Sequence, residues 1–240
     1  MPWKLSERVC EPEILDRPDL DPEDVLPAYR GLARLHRIAN ATRIFLEPLQ
    51  AYLRRDDGER TIRVLDLACG DGHLIRQLYR RLAEAHPHVE FYGCDKNVHA
   101  IEHANEQAVV DGCEGLHFFE ANIIDEPIPP GFDVYINSLF LHHLDTPVAI
   151  QFMRNLAACA PDCILLSDLL RTHRGVVLTA LATHTFSRSP IVHIDGRRSI
   201  RAAFSASEVR GLMRESGWNG VTLSRHWPER FLLTWRNPFA

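Results

Sequence analysis

The residues of this chain best suited to chemistry are a glycine turn and the carboxylates on either side of it. Gly70 and Gly72 follow an apolar run at 62–68. Because glycine has no Cβ, a bound molecule can approach the backbone closely at these positions. Asp66 precedes the turn, and Asp95 ends the next apolar run, 23 residues beyond Gly72. A carboxylate at that second position can accept both hydroxyls of a ribose. Because a carboxylate beside the turn favours a sulfonium or ammonium over a pyrophosphate, the pattern predicts a cationic ligand that carries a ribose.

Histidines supply the second candidate chemistry, the removal of a proton from a phenol or enol. His142 and His143 follow the apolar run at 132–139, and a neutral histidine with a pKa near 7 can accept such a proton. The pair could equally cap the next helix or pack beneath a ligand. His193 is a rival base if Asp195 or another acid orients its ring, and a surface loop histidine is the alternative interpretation. Four further side chains are candidates for substrate binding or, alternatively, surface contacts: Tyr29, Arg30, His36 and Arg201.

The elements that must position these residues alternate along the chain from residue 61 onward. Short apolar runs alternate with helical patterns, and this order predicts an α/β fold with helices on both faces of a parallel sheet. Residues 1–20 are polar and interrupted by prolines, and a helix is predicted to begin at Asp21. Residues 1–60 therefore form a predicted N-terminal helical segment before a main domain at 61–240. The predicted strands are 62–68, 89–94, 116–121, 132–139, 163–166, 221–225 and 231–235.

A long connection at about residues 170–204 separates the fifth predicted strand from a capped helix that begins at Ser205. Connections of this length are usually functional. The stretch 175–186 within it is apolar nearly all round. It could be a buried core helix, an oligomer contact or the lid of an apolar pocket.

Taken together, residues from about 61 to 240 resemble the class I S-adenosylmethionine-dependent methyltransferases. The resemblance rests on Asp66-x-Ala68-Cys69-Gly70-x-Gly72, on Asp95 and Asn122, and on Leu141-His142-His143-Leu144. It implies a Rossmann-like, doubly wound sheet of seven strands whose last strand is antiparallel, with residues 1–60 as a helical lid. It also implies S-adenosylmethionine as cofactor and S-adenosylhomocysteine as product.

The same resemblance assigns roles to the cofactor-binding residues. In that family the glycine turn packs on the amino acid part of the cofactor, which here concerns Gly70 and Gly72. The acid at the end of the second strand, here Asp95, holds the ribose, and a residue after the third strand, here Asn122, meets the adenine. The complete set of expected cofactor-binding residues is Asp66, Ala68, Cys69, Gly70, Gly72, Asp95, Lys96, Asn122, Ile123 and Asn137.

The resemblance implies an enzyme that methylates a small, lipophilic, phenolic or polyketide-like acceptor on oxygen, as in secondary metabolism. Carbon methylation of a quinol-type ring would use the same cofactor and is an alternative. A nicotinamide-dependent oxidoreductase would share the glycines and Asp95, but Ile75 stands where its fingerprint has glycine or alanine. A protein that binds the cofactor without catalysis is the third interpretation.

Composition restricts the other classes of function. With 27 Lys+Arg against 32 Asp+Glu, the net charge of −5 disfavours a nucleic-acid partner. The sequence has no apolar stretch of about 20 residues that could span a bilayer and no signal peptide at its start, so we expect a cytoplasmic protein. The six cysteines form no CxxC pair, and no metal site is expected. The expected assembly is a monomer or a homodimer.

Overall fold

The computed structural model of the chain describes residues 5–15, 17, 20, 23, 27, 28, 30, 31, 34, 35, 41–55 and 58–237. Seven strands form one sheet in the order β3-β2-β1-β4-β5-β7-β6. The strands are β1 (Ile62–Leu67), β2 (Val89–Asp95), β3 (Leu116–Glu120), β4 (Val134–Ser138), β5 (Cys163–Leu169), β6 (Thr222–His226) and β7 (Arg230–Arg236). Strands β1 to β5 are parallel, and β7 runs antiparallel to both β5 and β6. The predicted fold, including its antiparallel last strand, is confirmed.

Seven α-helices lie wholly within the described residues from 41 onward. They are α1 (Ala41–Leu53), α2 (His73–Leu82), α3 (Val98–Val110), α4 (Thr146–Ala158), α5 (His173–Phe186), α6 (Pro190–Ala202) and α7 (Ala206–Glu215). A short 3-10 helix, Leu141–His143, follows β4. The predicted capping box opens α7, where the Ser205 side chain accepts the Glu208 N–H and the Glu208 side chain accepts the Ser205 N–H. None of the helices in the described part is long and apolar enough to cross a membrane.

Apolar side chains cover both faces of the sheet. On one face Leu65 of β1 belongs to a cluster with Phe152 of α4, and on the other Val64 belongs to a cluster with Phe45 of α1 and Leu78 of α2. Consecutive strand residues point to opposite faces, so a strand that is buried on both faces must be apolar at every position. This is why the strands were readable in the sequence as continuous apolar runs.

The strand order changes direction between β1 and β4. These strands are neighbours, with Leu67 opposite Asn137, although 70 residues separate the two positions. Open α/β sheets bind ligands in the crevice outside the carboxyl ends of the strands at such a switch point. The glycine turn follows β1 and the histidine pair follows β4, so both candidate groups lie at this edge of the sheet.

Residues 5–15, here called the N-terminal strap, run beside α6 and the 3-10 helix. The N–H groups of Ile14 and Leu15 donate to the Asp195 carboxylate at 2.8 and 3.0 Å. Nearer the chain start, the Arg8 guanidinium lies 3.8 Å from the centre of the Phe204 ring. The strap therefore attaches to the connection predicted at residues 170–204.

That connection folds into α5 and α6, which pack against each other. A Cβ at Gly196 of α6 would lie 2.9 Å from the Thr183 side chain of α5, so the two helices approach closely at this glycine. The apolar stretch of α5 is not a buried core helix, because Val177 and Leu181 are 65% and 63% exposed. The described residues 23, 27, 28, 30, 31, 34 and 35 are helical, whereas the predicted helix start at Asp21 lies outside the described residues.

Candidate active site

Glycine is favoured at the two positions of the turn for different structural reasons. Gly72 has a φ of +69°, and a Cβ there would lie 2.4 Å from the Phe118 ring of β3. Gly70 has a φ of +55°, and a Cβ there would meet nothing within 4 Å. Gly72 thus permits close packing under the turn, while Gly70 leaves the other side of the turn open to a ligand. Ala68, just before them, also has a positive φ of 51°.

Asp95 fixes the glycine turn to the end of β2. One of its carboxylate oxygens accepts the Gly70 N–H at 2.9 Å, and the other accepts the Asn97 N–H at 2.9 Å. Asn97 in turn caps α3 through the N–H groups of His99 and Ala100. A carboxylate offers about four acceptor positions, so Asp95 can still receive two hydroxyls. The contact between Asp95 and the turn was not foreseen from the sequence.

Asp66 is a buried carboxylate, 2% exposed, with no hydrogen bond or ion pair to any other described residue. Burial raises the pKa of Asp66 well above its usual value, and the nearby charges of Asp95 and Asp71 add to this effect. A carboxylate in this environment is stabilised by a positively charged ligand. The surroundings of Asp66 therefore fit the cationic ligand predicted from the sequence.

Asn137 lies opposite this turn at the end of β4 and is 1% exposed. Its Nδ2 donates to the Leu67 carbonyl at 2.7 Å, but its Oδ1 has no partner among the residues that the structure describes. A buried polar atom without a partner at a ligand crevice is one that a ligand or a water can satisfy.

The remaining predicted cofactor residues are placed around the same edge. Asn122 is engaged locally, because its Nδ2 donates to Asp125 at 2.8 Å and its Oδ1 accepts N–H groups of residues 124 and 125 at 3.3 Å. Ile123 is buried and Lys96 is exposed. Burial raises the pKa of the Cys69 thiol well above its usual value, and neighbouring carboxylates, first Asp66, add to the shift.

His142 is buried between two carboxylates. Its ring Nδ1 lies 2.7 Å from Asp168 Oδ1, and its backbone N–H donates to Asp168 Oδ2 at 2.9 Å. The other ring nitrogen, Nε2, lies 3.5 Å from Glu13 Oε1 of the strap. Burial lowers the pKa of His142, but Asp168 and then Glu13 outweigh this effect and raise the pKa to about 10. A neutral ring with a pKa near 7 was expected, and this arrangement instead holds a protonated one.

The pKa values of Asp168 and Glu13 are shifted in the opposite direction to that of His142. Burial alone would raise the pKa of both Asp168 and Glu13, but the contact with His142 lowers each pKa below its usual value. Asp168 is fixed in the interior strand β5, whereas Glu13 belongs to the strap and also accepts a hydrogen bond from the Ser199 hydroxyl. The imidazolium therefore has one rigid partner and one on a terminal segment.

His143 is exposed, and its ring centre lies 4.3 Å from that of His142. Glu13, His142 and His143 each offer one donor atom, and these atoms all lie within 4.8 Å of one another. Two imidazoles and a carboxylate are ligands that zinc accepts. This group was not visible in the sequence, because Glu13 precedes the histidines by about 130 residues.

The other predicted residues are not gathered at His142. The Nε2 of His193 donates to the carbonyl oxygens of Thr183 and Ser187 at 3.1 and 2.9 Å. Asp195 does not orient this ring, because its carboxylate accepts the N–H groups of the strap. Arg201 pairs with Glu11 at 3.1 Å, and Arg30 is exposed. Tyr29 and His36 lie outside the described residues.

Two functional candidates were missed by sequence reasoning. Asp168 had a usable signal, since it lies at the carboxyl end of the predicted fifth strand, next to the strand that leads to the histidines. Glu13 had none, because its position over His142 depends on the path of the strap.

Comparison with known proteins agrees with this architecture. The family described as "Methyltransferase domain" matches residues 59–185, which is more than half of the chain. The chain therefore belongs to this family.

A curated relative is the O-methyltransferase SfmM3 of Streptomyces lavendulae, 28% identical over 129 residues. The match covers 53% of this chain and 37% of that protein, so the chain spans little more than a third of the relative's length.

Two solved structures share the fold. The plantazolicin methyltransferase BpumL, in complex with a triazolic desmethylPZN analog and S-adenosylhomocysteine, has a TM-score of 0.66 at 15% identity, over 90% of this chain and 92% of that one. An O-methyltransferase family 2 protein from Planctomyces limnophilus, in complex with apigenin, has a TM-score of 0.63 at 19% identity, over 92% of this chain and 63% of that one. At these identities the likeness concerns the fold alone.

Proposed function

We propose that this protein is an S-adenosylmethionine-dependent methyltransferase that acts on the hydroxyl oxygen of a small phenolic or polyketide-like acceptor, with His142 as the general base. The observation that carries the proposal is the contact of 2.7 Å between His142 Nδ1 and Asp168. This contact fixes the ring so that its Nε2 is the nitrogen available to a proton from another molecule. The O-methyltransferase SfmM3 and the apigenin-bound protein support a hydroxyl acceptor.

The position of His142 after β4 supports this role, because β4 pairs with β1, the strand that leads to the glycine turn. Asn137 of β4 lies opposite Leu67 of β1, and the 3-10 helix with His142 begins a few residues later. Leu139, between them, has a φ of +58° and turns the chain sharply after the strand. These relations support a site in which the acceptor hydroxyl and the methyl donor meet above the ends of β1 and β4.

The reaction is a displacement at carbon. The cofactor supplies a methyl group activated by a positively charged sulfur. Held at the glycine turn and Asp95, this group would give its methyl carbon to the acceptor oxygen, and the electron pair of the carbon–sulfur bond would stay on sulfur. His142 Nε2 takes the hydroxyl proton, and Asp168 stabilises the imidazolium so formed. Such a base contributes about 10²–10⁴-fold to the rate, and alignment of the reactants contributes further.

Glu13 must withdraw before an acceptor can use His142. Its carboxylate lies 3.5 Å from Nε2, the atom that is to take the proton. While both carboxylates flank the ring, the imidazole is almost entirely protonated near neutral pH, and only its small neutral fraction can act as a base. An acceptor that displaces Glu13 removes one negative charge and so lowers the pKa of His142. In this way the base becomes active when the acceptor enters.

The covering of the site supports a small acceptor. The His142 side chain is only 5% exposed, because the strap and its anchoring residues on α6 lie against it. The helical pair α5 and α6 is accordingly proposed as a substrate cap. A large macromolecular substrate would have to displace this whole cover to bring an oxygen to Nε2.

The cofactor roles belong to the same proposal. Asp95 is proposed to receive the ribose hydroxyls, which its contact with the Gly70 N–H supports. Asp66 has no cationic partner among the described residues, and an ammonium or sulfonium would supply one. An added Cβ at Gly70 would meet nothing within 4 Å, which supports a ligand on that side of the turn. Asn122 is proposed to meet the adenine, since its contacts of 3.3 Å to N–H groups are long enough for a ligand to replace.

The test is methyl transfer from radiolabelled S-adenosylmethionine to a panel of phenols, flavonoids and quinols, with the product examined by NMR. His142→Gln should lower turnover by about 10²–10⁴-fold while S-adenosylhomocysteine affinity, measured by calorimetric titration, stays the same. His143→Gln is the matched control, since it changes the exposed neighbour. Transfer to carbon, or full turnover by His142→Gln, would contradict the proposal.

A further inference from the structure

Arg230, the first residue of β7, is a buried cation that forms no ion pair with any described residue. It is 3% exposed, and no carboxylate of the described residues lies within ion-pair distance of its guanidinium. Its Nη2 donates to Ser138 Oγ at 2.8 Å and to the Ser167 carbonyl at 3.3 Å, while its Nε has no partner. A buried guanidinium normally pairs with an acid, because removing it from water is costly.

A second buried polar atom without a partner lies beside it. Ser167 is 1% exposed, and its Oγ makes no hydrogen bond. Ser138 and Ser167 are register partners at the carboxyl ends of β4 and β5, so their side chains share one face of the sheet. Arg230, Ser138 and Ser167 therefore form a buried polar group, in which Arg230 Nε and Ser167 Oγ have no hydrogen-bond partner among the described residues. Buried polar groups of this kind are satisfied by a ligand or an ordered water.

The chemistry of this group selects an anion. Burial lowers the pKa of Arg230 to about 10, and Asp168, the nearest opposing charge, only partly offsets the shift because its carboxylate already pairs with His142. A guanidinium only donates hydrogen bonds, so Ser138 Oγ must accept from it and keeps its own hydrogen for another acceptor. Ser138 is the last residue of β4 and is partly exposed, whereas Arg230 and Ser167 are buried. A planar carboxylate matches the fork of an arginine.

We propose that Arg230, Ser138 and Ser167 bind a carboxylate of the methyl acceptor, so that the substrate is a hydroxy-substituted carboxylic acid. The inference rests on the proposed function, because it deepens the description of the same acceptor. Ser167 and Asp168 are consecutive in β5, so their side chains point to opposite faces of the sheet. The acceptor then spans the end of β5, with its acid at Arg230 on one side and its hydroxyl at His142 on the other.

The experiment compares hydroxybenzoates and hydroxycinnamates with their own methyl esters. Binding is measured by calorimetric titration and thermal shift in the presence of S-adenosylhomocysteine, so that no turnover is needed. Wild-type protein should bind each acid about 10- to 150-fold more tightly than its ester, the fold-change of a hydrogen bond to a charged group. Arg230→Lys keeps the positive charge but loses the two parallel N–H donors of the guanidinium. It should remove most of the preference for the acid over the ester without changing S-adenosylhomocysteine affinity. Arg225→Lys, at an exposed arginine of β6, is the matched control.

Two measurements keep the proposal open to refutation if Arg230→Lys fails to fold. The comparison of acid and ester in wild-type protein needs no variant, and Ser167→Ala, a small change in the core, should weaken the acids severalfold more than the esters. Equal binding of acids and esters by wild-type protein would overturn the proposal. So would loss of S-adenosylhomocysteine affinity in Arg230→Lys with an unchanged preference for acids. If acids bind tightly and no methyl is transferred, the proposed function fails and the carboxylate site stands.

Discussion

Glu13→Gln removes one of the two carboxylates at His142 and keeps the shape of the side chain. In the wild-type arrangement Asp168 lies 2.7 Å from Nδ1 and Glu13 lies 3.5 Å from Nε2, and together they raise the pKa of His142 to about 10. At pH 7.5 a group with this pKa is neutral in roughly 0.3% of molecules. If His142 is the base, that small fraction limits the rate whenever Glu13 is in place.

The size of the effect follows from the distance between the charges. Two unit charges 3.5 Å apart interact by about 5 kcal/mol at an effective dielectric of 20 and by about 1 kcal/mol in water. Since the Glu13 side chain keeps 16% exposure, solvent reduces the interaction, and we expect the pKa of His142 to fall by about one to two units. Each unit raises the neutral fraction at pH 7.5 about tenfold. The weaker base offsets part of this gain, so kcat/KM should rise severalfold.

The pH dependence provides an independent measurement. The pKa of His142 lies above its ordinary value of 6.5, so its stabilising contribution is complete below about pH 6.5 and is lost as the pH rises through about 10. The pKa values of Glu13 and Asp168 are lowered, so their contribution is lost as the pH falls through the acidic range. Glu13→Gln should therefore have a lower Tm than wild type near neutral pH, and the difference should disappear above about pH 10.

The assay is a pH profile of kcat/KM together with thermal unfolding over the same pH range. The acid limb of the kinetic profile should move to lower pH in Glu13→Gln. Glu11→Gln is the matched control, because Glu11 lies on the same strap but pairs with Arg201 at 3.1 Å on the surface. If the profiles of Glu13→Gln and wild type coincide, Glu13 does not control the protonation of His142, and the reasoning is refuted.

Two further predictions concern the cofactor turn. Asp95→Ala should weaken S-adenosylhomocysteine binding by about 1.5–3 kcal/mol, the scale of hydrogen bonds to a charged group, and unchanged affinity in calorimetric titration would remove Asp95 from the site. Gly72→Ala should be less stable to thermal or urea unfolding than Gly112→Ala by about 1–3 kcal/mol. The two glycines have φ values of +69° and +67°, but an added Cβ meets a phenyl ring at 2.4 Å in the first and nothing within 4 Å in the second. Equal stability of the two variants would show that packing does not select glycine at the turn.

The glycine turn was predictable because the backbone conformation of the turn depends on residues that are close together in the sequence. Gly70 and Gly72 need positive φ values in a segment of three residues, and Asp95 follows at the end of the very next strand. The sheet was equally readable, since strands buried on both faces are apolar along their whole length. The antiparallel last strand came from the family resemblance and was confirmed by the pairing of β7 with β5 and β6.

The environment of His142 was not predictable in the same way. The sequence contained the histidine, but its pKa depends on Asp168, 26 residues away, and on Glu13, which precedes it by about 130 residues. These two carboxylates raise the pKa of His142 above its usual value, and nothing in the local sequence indicates this. Likewise Asp195, two residues from His193 in the chain, contacts the strap instead of that ring.

The sequence by itself determined the order of strands and helices, the glycine turn and the carboxylates that flank it, because these depend on neighbours in the chain and on burial of apolar runs. Only the tertiary structure decided which charges share a buried space. It brought Glu13 and Asp168 to His142, and it left Arg230 beside two serines with no acid. Electrostatic energies depend on distance and desolvation, and both are set by packing between segments that are far apart in the sequence.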